Sequence, residues 1–465
     1  MKKVAVDFGE RKVEIEVPDS ATVAEFSDPA LLDDPGAAVD KALAQPLGLP
    51  PLAEMAKPGM RVAIGFDDIT RPNTPPRLIL PRIVEILAKS GVKDRDIVFV
   101  NGNSNHRKNT PEELANHLGP EIFDRFAPLG NIRNHDCDDP QGLVFNGVTE
   151  SGRYVEHNRT FLEADLQLYQ GNVSAQAWKG YTGTGVVIGL ASTKSIASHH
   201  SLRAVPDPQK KKEHQKASGT KLPGMKPEMT AVLVKATGKK TFYVNAVSGM
   251  GGKPIGIFAG HASEITPPAW ELAGSCFTKE VPQADVLVVG LGAAYSYGSS
   301  ENALIAAVGA LVPPRYSPDQ PVLREGGVVI ALSPSTGWID PDRYPSYARL
   351  IEAYDKHHEI RALVDYEDGF HRDPELMRKY REGYGYPALH AFWIFYEFEY
   401  ALKRAGAVIM AGTRNPGMFR RLGLQTAPDF DAAWKAARRY VGENPTTVVA
   451  PTFWTRPRIK LAVKR

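Results

Sequence analysis

Three polar segments of this chain carry the residue types from which a small-molecule site is built. The first is Asp67-Asp68-Ile-Thr70-Arg71-Pro72, two carboxylates beside a guanidinium. A guanidinium grips planar anions through paired hydrogen bonds, and an aspartate accepts from hydroxyls or ring nitrogens. The same residues would also serve as a loop ion pair and a cap on the next helix. The second is Asn101-Gly-Asn-Ser-Asn-His106-Arg107. Its imidazole can move protons near neutral pH, and the arginine can anchor a carboxylate. The third runs from Gly171 to His200, with glycines at 171, 180, 183, 185 and 189, and ends on His199-His200. Glycine at that density lets backbone approach a bound group closely, though tight turns look the same. Its spacing is neither the dinucleotide fingerprint nor a phosphate loop. There is no HExxH, no calcium loop and no Cys/His cluster, so a metal on one of these histidines needs ligands from elsewhere. Adjacent on a helix, His199 and His200 cannot both face one point. His390, in the aromatic run His390-Ala-Phe-Trp-Ile-Phe395, reads as core or cleft lining.

Each polar segment follows an apolar run that positions it. Arg61 to Phe66 predicts a strand delivering the Asp67 loop, and Pro75-Pro76 then opens an amphipathic helix over 77–90. Asp96 to Val100 predicts a strand delivering the His106 loop, followed by a capped helix start at Thr110-Pro-Glu-Glu. Ala164 to Tyr169 delivers the glycine loop. Strand, loop and helix in repetition predict a parallel sheet with its site along the carboxyl edge. Residues 1–18 alternate like a β-hairpin, and 242–247 and 256–261 read as late strands of the same unit. The lysine run 210–212, with Lys216 and Lys221, reads as a solvated loop. A new α/β unit opens at Ala284 to Gly290, with further strands at 326–332 and 407–411. The expectation is α/β with two domains of largely parallel sheets: 1–278, completed by about 430–465, and 279–429. The active site would lie in the interdomain cleft.

The totals agree with that plan. At 465 residues the chain exceeds one ordinary core. A net charge of +3 argues against a nucleic-acid or membrane partner, and no run approaches a membrane span. Two cysteines, far apart, exclude a disulfide scaffold and suit a reducing cytoplasm. The N-terminus lacks the apolar core of a secretion signal. The oligomeric state is not legible here.

Taken together, Asp68-Ile-Thr-Arg-Pro72, Asn105-His-Arg-Lys-Asn-Thr-Pro-Glu-Glu-Leu114, the Gly180 to Gly189 loop running to Ala191-Ser192, His200-Ser201 and Gly256-Ile-Phe-Ala-Gly260 resemble the lactate racemase family in order and separation. Glu325 to Ile330 extends the resemblance into the second half. That family comprises nickel-pincer-dependent 2-hydroxyacid racemases and epimerases. The resemblance implies a pincer nucleotide tethered to a lysine, a nickel ion held by the pincer and one histidine, and two acid/base histidines. It matches His200 to the metal ligand and His106, followed by Arg107, to one acid/base residue. Asp68, Thr70, Arg71 and the loop glycines Gly180, Gly183 and Gly185 match cofactor contacts.

The departures are specific. Gln176 stands where the second acid/base histidine falls, and no lysine remains in Gly183 to Gly189, which is about two residues short. Ile305 to Gly309 is apolar where the family contacts substrate, and His390 replaces a cleft tryptophan. The resemblance therefore implies a small anionic 2-hydroxyacid or sugar-acid substrate other than lactate, with Asp67, Gln176, His199 and His390 as further cleft residues. It leaves three readings: racemisation or epimerisation with an untethered cofactor, single-base elimination at His106 without the pincer or with another metal, and ligand binding without catalysis.

Overall fold

The computed structural model describes residues 1–25, 29–71, 73–175, 180–202, 225–295, 297–315, 320–452 and 459–464. The fold is α/β, built on two sheets. The first orders its strands Pro254–Gly260, Phe242–Ser248, Leu166–Val173, Val62–Asp67, Ile97–Gly102, Ile132–Asn134. Every neighbouring pair is parallel except the edge pair 242–248 with 254–260. Val62–Asp67 and Leu166–Val173 are almost wholly buried, as central strands covered on both faces must be. On one face the helix Pro76–Lys89 lays Ile79, Leu80, Ile83 and Leu87 onto Ile64, Phe66 and Phe99. On the other, Tyr169, Tyr243, Val186 and Leu190 close a second cluster. The helix 77–90, the strands 61–66 and 96–100, and the capped start at Thr110 all form near the expected positions.

The second sheet runs Gln425–Ala427, Ala407–Ala411, Leu323–Leu332, Ala284–Gly292, Lys2–Gly9, Arg11–Val17, with Thr447–Ala450 also paired to Ala284–Gly292. Two segments expected with the first sheet lie here instead. The hairpin 2–17 forms, but Val4, Val6, Ile15 and Val17 pack with Val286, Val288 and Ile330. The helix Phe430–Val441 packs on Leu323–Leu332 and Ala407–Ala411. Alternation marks a buried face without naming which sheet covers it. Lys460–Val463 pairs in parallel with Thr278–Val281, beside the expected boundary. Among the described residues no helix is long and apolar enough to cross a membrane.

Candidate active site

The strands Val62–Asp67, Ile97–Gly102 and Leu166–Val173 end side by side, so the three polar segments meet at the carboxyl edge of the first sheet. Asp68 and His106 join across two of these loops. The Asp68 carboxylate lies 3.0 Å from His106 Nδ1 and accepts from the Thr70 hydroxyl at 2.7 Å. Thr70 Oγ1 is also 3.1 Å from Nδ1. All three side chains are buried. Burial works against the charged form of each partner. For Asp68, His106, Arg71 and Thr70 outweigh burial and hold the carboxyl down at about 2. For His106, burial outweighs the carboxylate and lowers the imidazole below its usual value. At neutral pH the pair is thus a carboxylate and a neutral imidazole. Nδ1–H points at Asp68, and the Nε2 lone pair is left for the cavity.

Asp67 plays a different part. Its oxygens accept from Tyr169 Oη and from the Asn172 backbone N–H, each at 2.9 Å. Burial raises its carboxyl, against the pull of Arg71. Arg71 stays charged: burial is outweighed by Tyr297, which hydrogen-bonds it, and by Asp68 and Asp67.

These groups line a cavity of about 200 Å³ between the two halves. From the first half come Asp67, Arg71, His106, Gly183, Gly185, His200 and Lys226. From the second come Tyr295, Tyr297, His390 and Trp393. The His106 and His390 rings stand edge to face with centroids 5.7 Å apart, and Tyr297 lies 5.2 and 5.1 Å from them. His390 is buried at the start of the helix His390–Arg404, and its Nδ1 is 2.8 Å from Tyr347 Oη. Burial, then His106 and His200, push His390 well below the usual imidazole range. His200 also lines the cavity, its Nδ1 2.5 Å from His199 Nδ1. His199 is buried behind it.

Several expected residues stand elsewhere. Arg107 does not line the cavity; its guanidinium donates to Glu113 at 2.7 and 2.5 Å. Glu113 also closes the capping box of Pro111–Leu118, so Arg107 braces a helix start rather than a ligand. Gly180 lies against Trp270, where a Cβ would come nearer than 3.0 Å to the indole. Gly185 and Gly189 are needed for a reason not foreseen: a Cβ at either would come within 3.0 Å of Tyr169, as it would at Gly65 and Gly102. Thr70 and Asp68 stand behind the cavity wall, acting through His106. Gln176, like the lysine run at 210–221, lies outside the described residues. The helix Ala303–Leu311 is fully buried, and its Val308 faces the cavity, so the apolar reading of 305–309 holds.

The site also holds residues that sequence reasoning passed over. Lys226 begins a helix beyond the lysine run and donates to the Gly183 carbonyl at 2.6 Å. Tyr297, Tyr344, Tyr347 and Tyr386 build the facing wall, with Tyr344 and Tyr386 both donating to the Tyr297 carbonyl. The repeated tyrosines of 344–386 were the available signal.

A polar sheet edge thus faces a second α/β half across a cavity lined by imidazoles, a carboxylate and a guanidinium. Residues 8–213 match the lactate racemase N-terminal domain. The chain is 30% identical over 224 residues to a lactate racemase of Lactiplantibacillus plantarum, covering 48% of this chain and 50% of that one. It is 22% identical over 294 residues to a lactate racemase of Thermoanaerobacterium thermosaccharolyticum, covering 63% of this chain and 64% of that one. The matched segments thus span about half to two thirds of these relatives. The fold matches the lactate racemase apoprotein structure from T. thermosaccharolyticum with a TM-score of 0.70 at 18% identity, over 100% of both chains. A Thermotoga maritima structure matches with a TM-score of 0.53 at 16% identity, over 89% of this chain and 96% of that one. The chain is thus similar to lactate racemases through its N-terminal domain, and it shares the fold of the lactate racemase apoprotein over its whole length.

Proposed function

We propose that this protein is a racemase or epimerase of a 2-hydroxyacid or sugar acid, an isomerase working with a nickel-pincer cofactor held without a lysine in the glycine loop. The observation that carries the reading is the buried Asp68–His106 pair opening onto a cavity that also holds Arg71. The residues fit such a cofactor. His200 offers one imidazole to a metal, while Lys226 offers a cationic donor to an anionic arm. Among the described residues no cluster of His, Cys, Asp and Glu would hold a metal unaided, so the remaining ligands fall to the cofactor. When bound, that group supplies an acceptor and donor of hydride at the substrate carbon. The cavity of about 200 Å³ suits a small acid.

The chain's own residues do the rest. Arg71 binds the carboxylate through its fork of donors. His106 Nε2 takes the hydroxyl proton, and Asp68 holds the ring in the tautomer that does so. On the opposite face His390 stands as the second imidazole, in place of the histidine missing at Gln176. Burial holds the Tyr347 phenol protonated, and its O–H donates to His390 Nδ1, leaving the proton on Nε2. His106 is then the base, taking the proton and returning it, while neutral His390 presents Nε2–H to the substrate oxygen as a hydrogen-bond donor. The test is to make the protein beside the pincer-biosynthesis enzymes, assay nickel, and follow 2-hydroxyacid enantiomers by chiral chromatography. Near-stoichiometric nickel that His200→Ala abolishes, with enantiomers interconverted, is expected. Nickel-free protein of apo mass would sink the proposal.

A further inference from the structure

Lys226 lines the cleft with no carboxylate partner among the described residues. Some of the chain's lysines pair with carboxylates, as Lys3 does with Glu14 and Lys89 with Glu85, while Lys2 and Lys239 donate to backbone carbonyls. Lys226 pairs with no carboxylate of the described residues; its hydrogen-bond partner is the neutral carbonyl of Gly183. The side chain is half-buried in the first turn of the helix Met225–Thr237, where the positive end of the helix opposes a second positive charge. Burial lowers its amine to about 8; Arg71 pushes the same way, and Asp67 resists. A lysine in that setting spends part of its time as a free amine, which is the nucleophilic form. Its companions in the cavity are Arg71, a fixed cation for a carboxylate, and His106, a base beside it.

We propose a second, metal-independent activity of this cleft: capture of a 2-oxoacid as an imine on Lys226, with His106 exchanging protons on the adjacent carbon. Arg71 holds the carboxylate and presents C2 to the amine. The Lys226 nitrogen forms a bond to C2, and one of its protons passes to the former carbonyl oxygen. That hydroxyl takes a further proton from solvent and leaves as water, giving the protonated imine. The imine nitrogen then accepts the electron pair of a C3–H bond while His106 Nε2 takes the proton. Returning a proton to C3 and water to C2 reverses both steps, so no oxidant or reductant is consumed. Asp67, in the same cavity, favours positive charge on the Lys226 nitrogen and so favours the protonated imine. The proposal rests on the reading above for the roles of Arg71 and His106, and departs from it in needing no nickel.

The experiment uses the full chain, purified without the pincer enzymes, with pyruvate as probe and sodium borohydride as trap. Intact mass and peptide mapping should find one reduced pyruvate per chain, on the peptide bearing Lys226. At pH 7 that site should label about a hundredfold faster than a surface lysine, the difference expected between an amine titrating near 8 and one near 10.4. In deuterated water the pyruvate methyl should exchange, and Lys226→Arg should lose both adduct and exchange while keeping the native circular dichroism. His106→Gln should keep the adduct and lose the exchange. No adduct, or an adduct that persists in Lys226→Arg, overturns the inference. Nickel-dependent racemisation without an adduct leaves the isomerase reading standing alone. An adduct in a protein that takes up no nickel does the reverse.

Discussion

The two walls of the cleft carry one histidine each, and everything around those histidines differs. His106 rests on charge: a carboxylate at 3.0 Å, a threonine hydroxyl at 3.1 Å and two arginines near enough to lower its basicity. His390 rests on rings: Tyr347 at 2.8 Å, with Tyr386 and Tyr297 packed at 4.4 and 5.1 Å between centroids. Burial makes both imidazoles neutral, but only the first has a fixed negative charge ready to stabilise its protonated state. The contrast teaches how a pair of like residues is made unlike. A sheet edge supplies polar loops, a helix among aromatics supplies a dry wall, and the environments make one imidazole a base and the other a hydrogen-bond donor.

If that division of labour is right, breaking the charged wall costs most. His106→Gln should lower kcat/KM for the isomerisation about 10³-fold, within the range for a lost general base, measured by enantiomer interconversion on nickel-loaded protein. His390→Phe keeps the ring and removes the proton, and should cost about 10²-fold in the same assay. Wild-type activity in that variant would reduce the aromatic wall to apolar lining.

Asp68→Asn sharpens the comparison through pH. The Asp68 carboxyl titrates at about 2 when folded, below its ordinary 3.8. Its contribution to stability is therefore complete above pH 4 and lost as pH falls toward 2. Thermal melts across that window should fall more steeply for the wild type than for the variant. The acid limb of kcat/KM, set by an imidazole already below 6.5, should move lower still once the carboxylate that raises it is gone. An unmoved limb would show that the pair is structural. The smallest effect should come from the floor: Gly185→Ala, meeting a buried tyrosine, should cost about 1–3 kcal/mol in denaturant unfolding.

Much of the charged wall was legible because strand ends can be read from apolar runs, and the residues after them must lie on one edge. Asp67, Arg71, His106 and His200 reach the cavity by that logic alone. Arg107 shows its limit: next to His106 in sequence, it is held by the Lys108 carbonyl and by Glu113, six residues on, which closes a helix cap. The aromatic wall was largely illegible, because Tyr297, Tyr347 and His390 meet only after three separate segments fold together. Lys226 was hidden for the opposite reason. It follows a run of lysines whose commonest fate is solvent, and only the cavity distinguishes it. The hairpin 2–17 was read as a hairpin but joined to the other sheet, since periodicity gives a face and not a neighbour.

Tyr169 has a consequence for how such a protein can change. Its ring fills the space left by Gly65, Gly102, Gly185 and Gly189, and its hydroxyl holds Asp67. A methyl group added at any of those four glycines collides with the same ring, so single substitutions there are penalised alike. Shrinking the ring first would open a void and strip a buried carboxylate of a donor. Neither order offers an easy first step, and five positions in four separate segments behave as one heritable unit. The rim of the cleft, lined by His200, Lys226 and His390, meets no such lock. New substrates are reached by redecorating the rim over a floor that stays put.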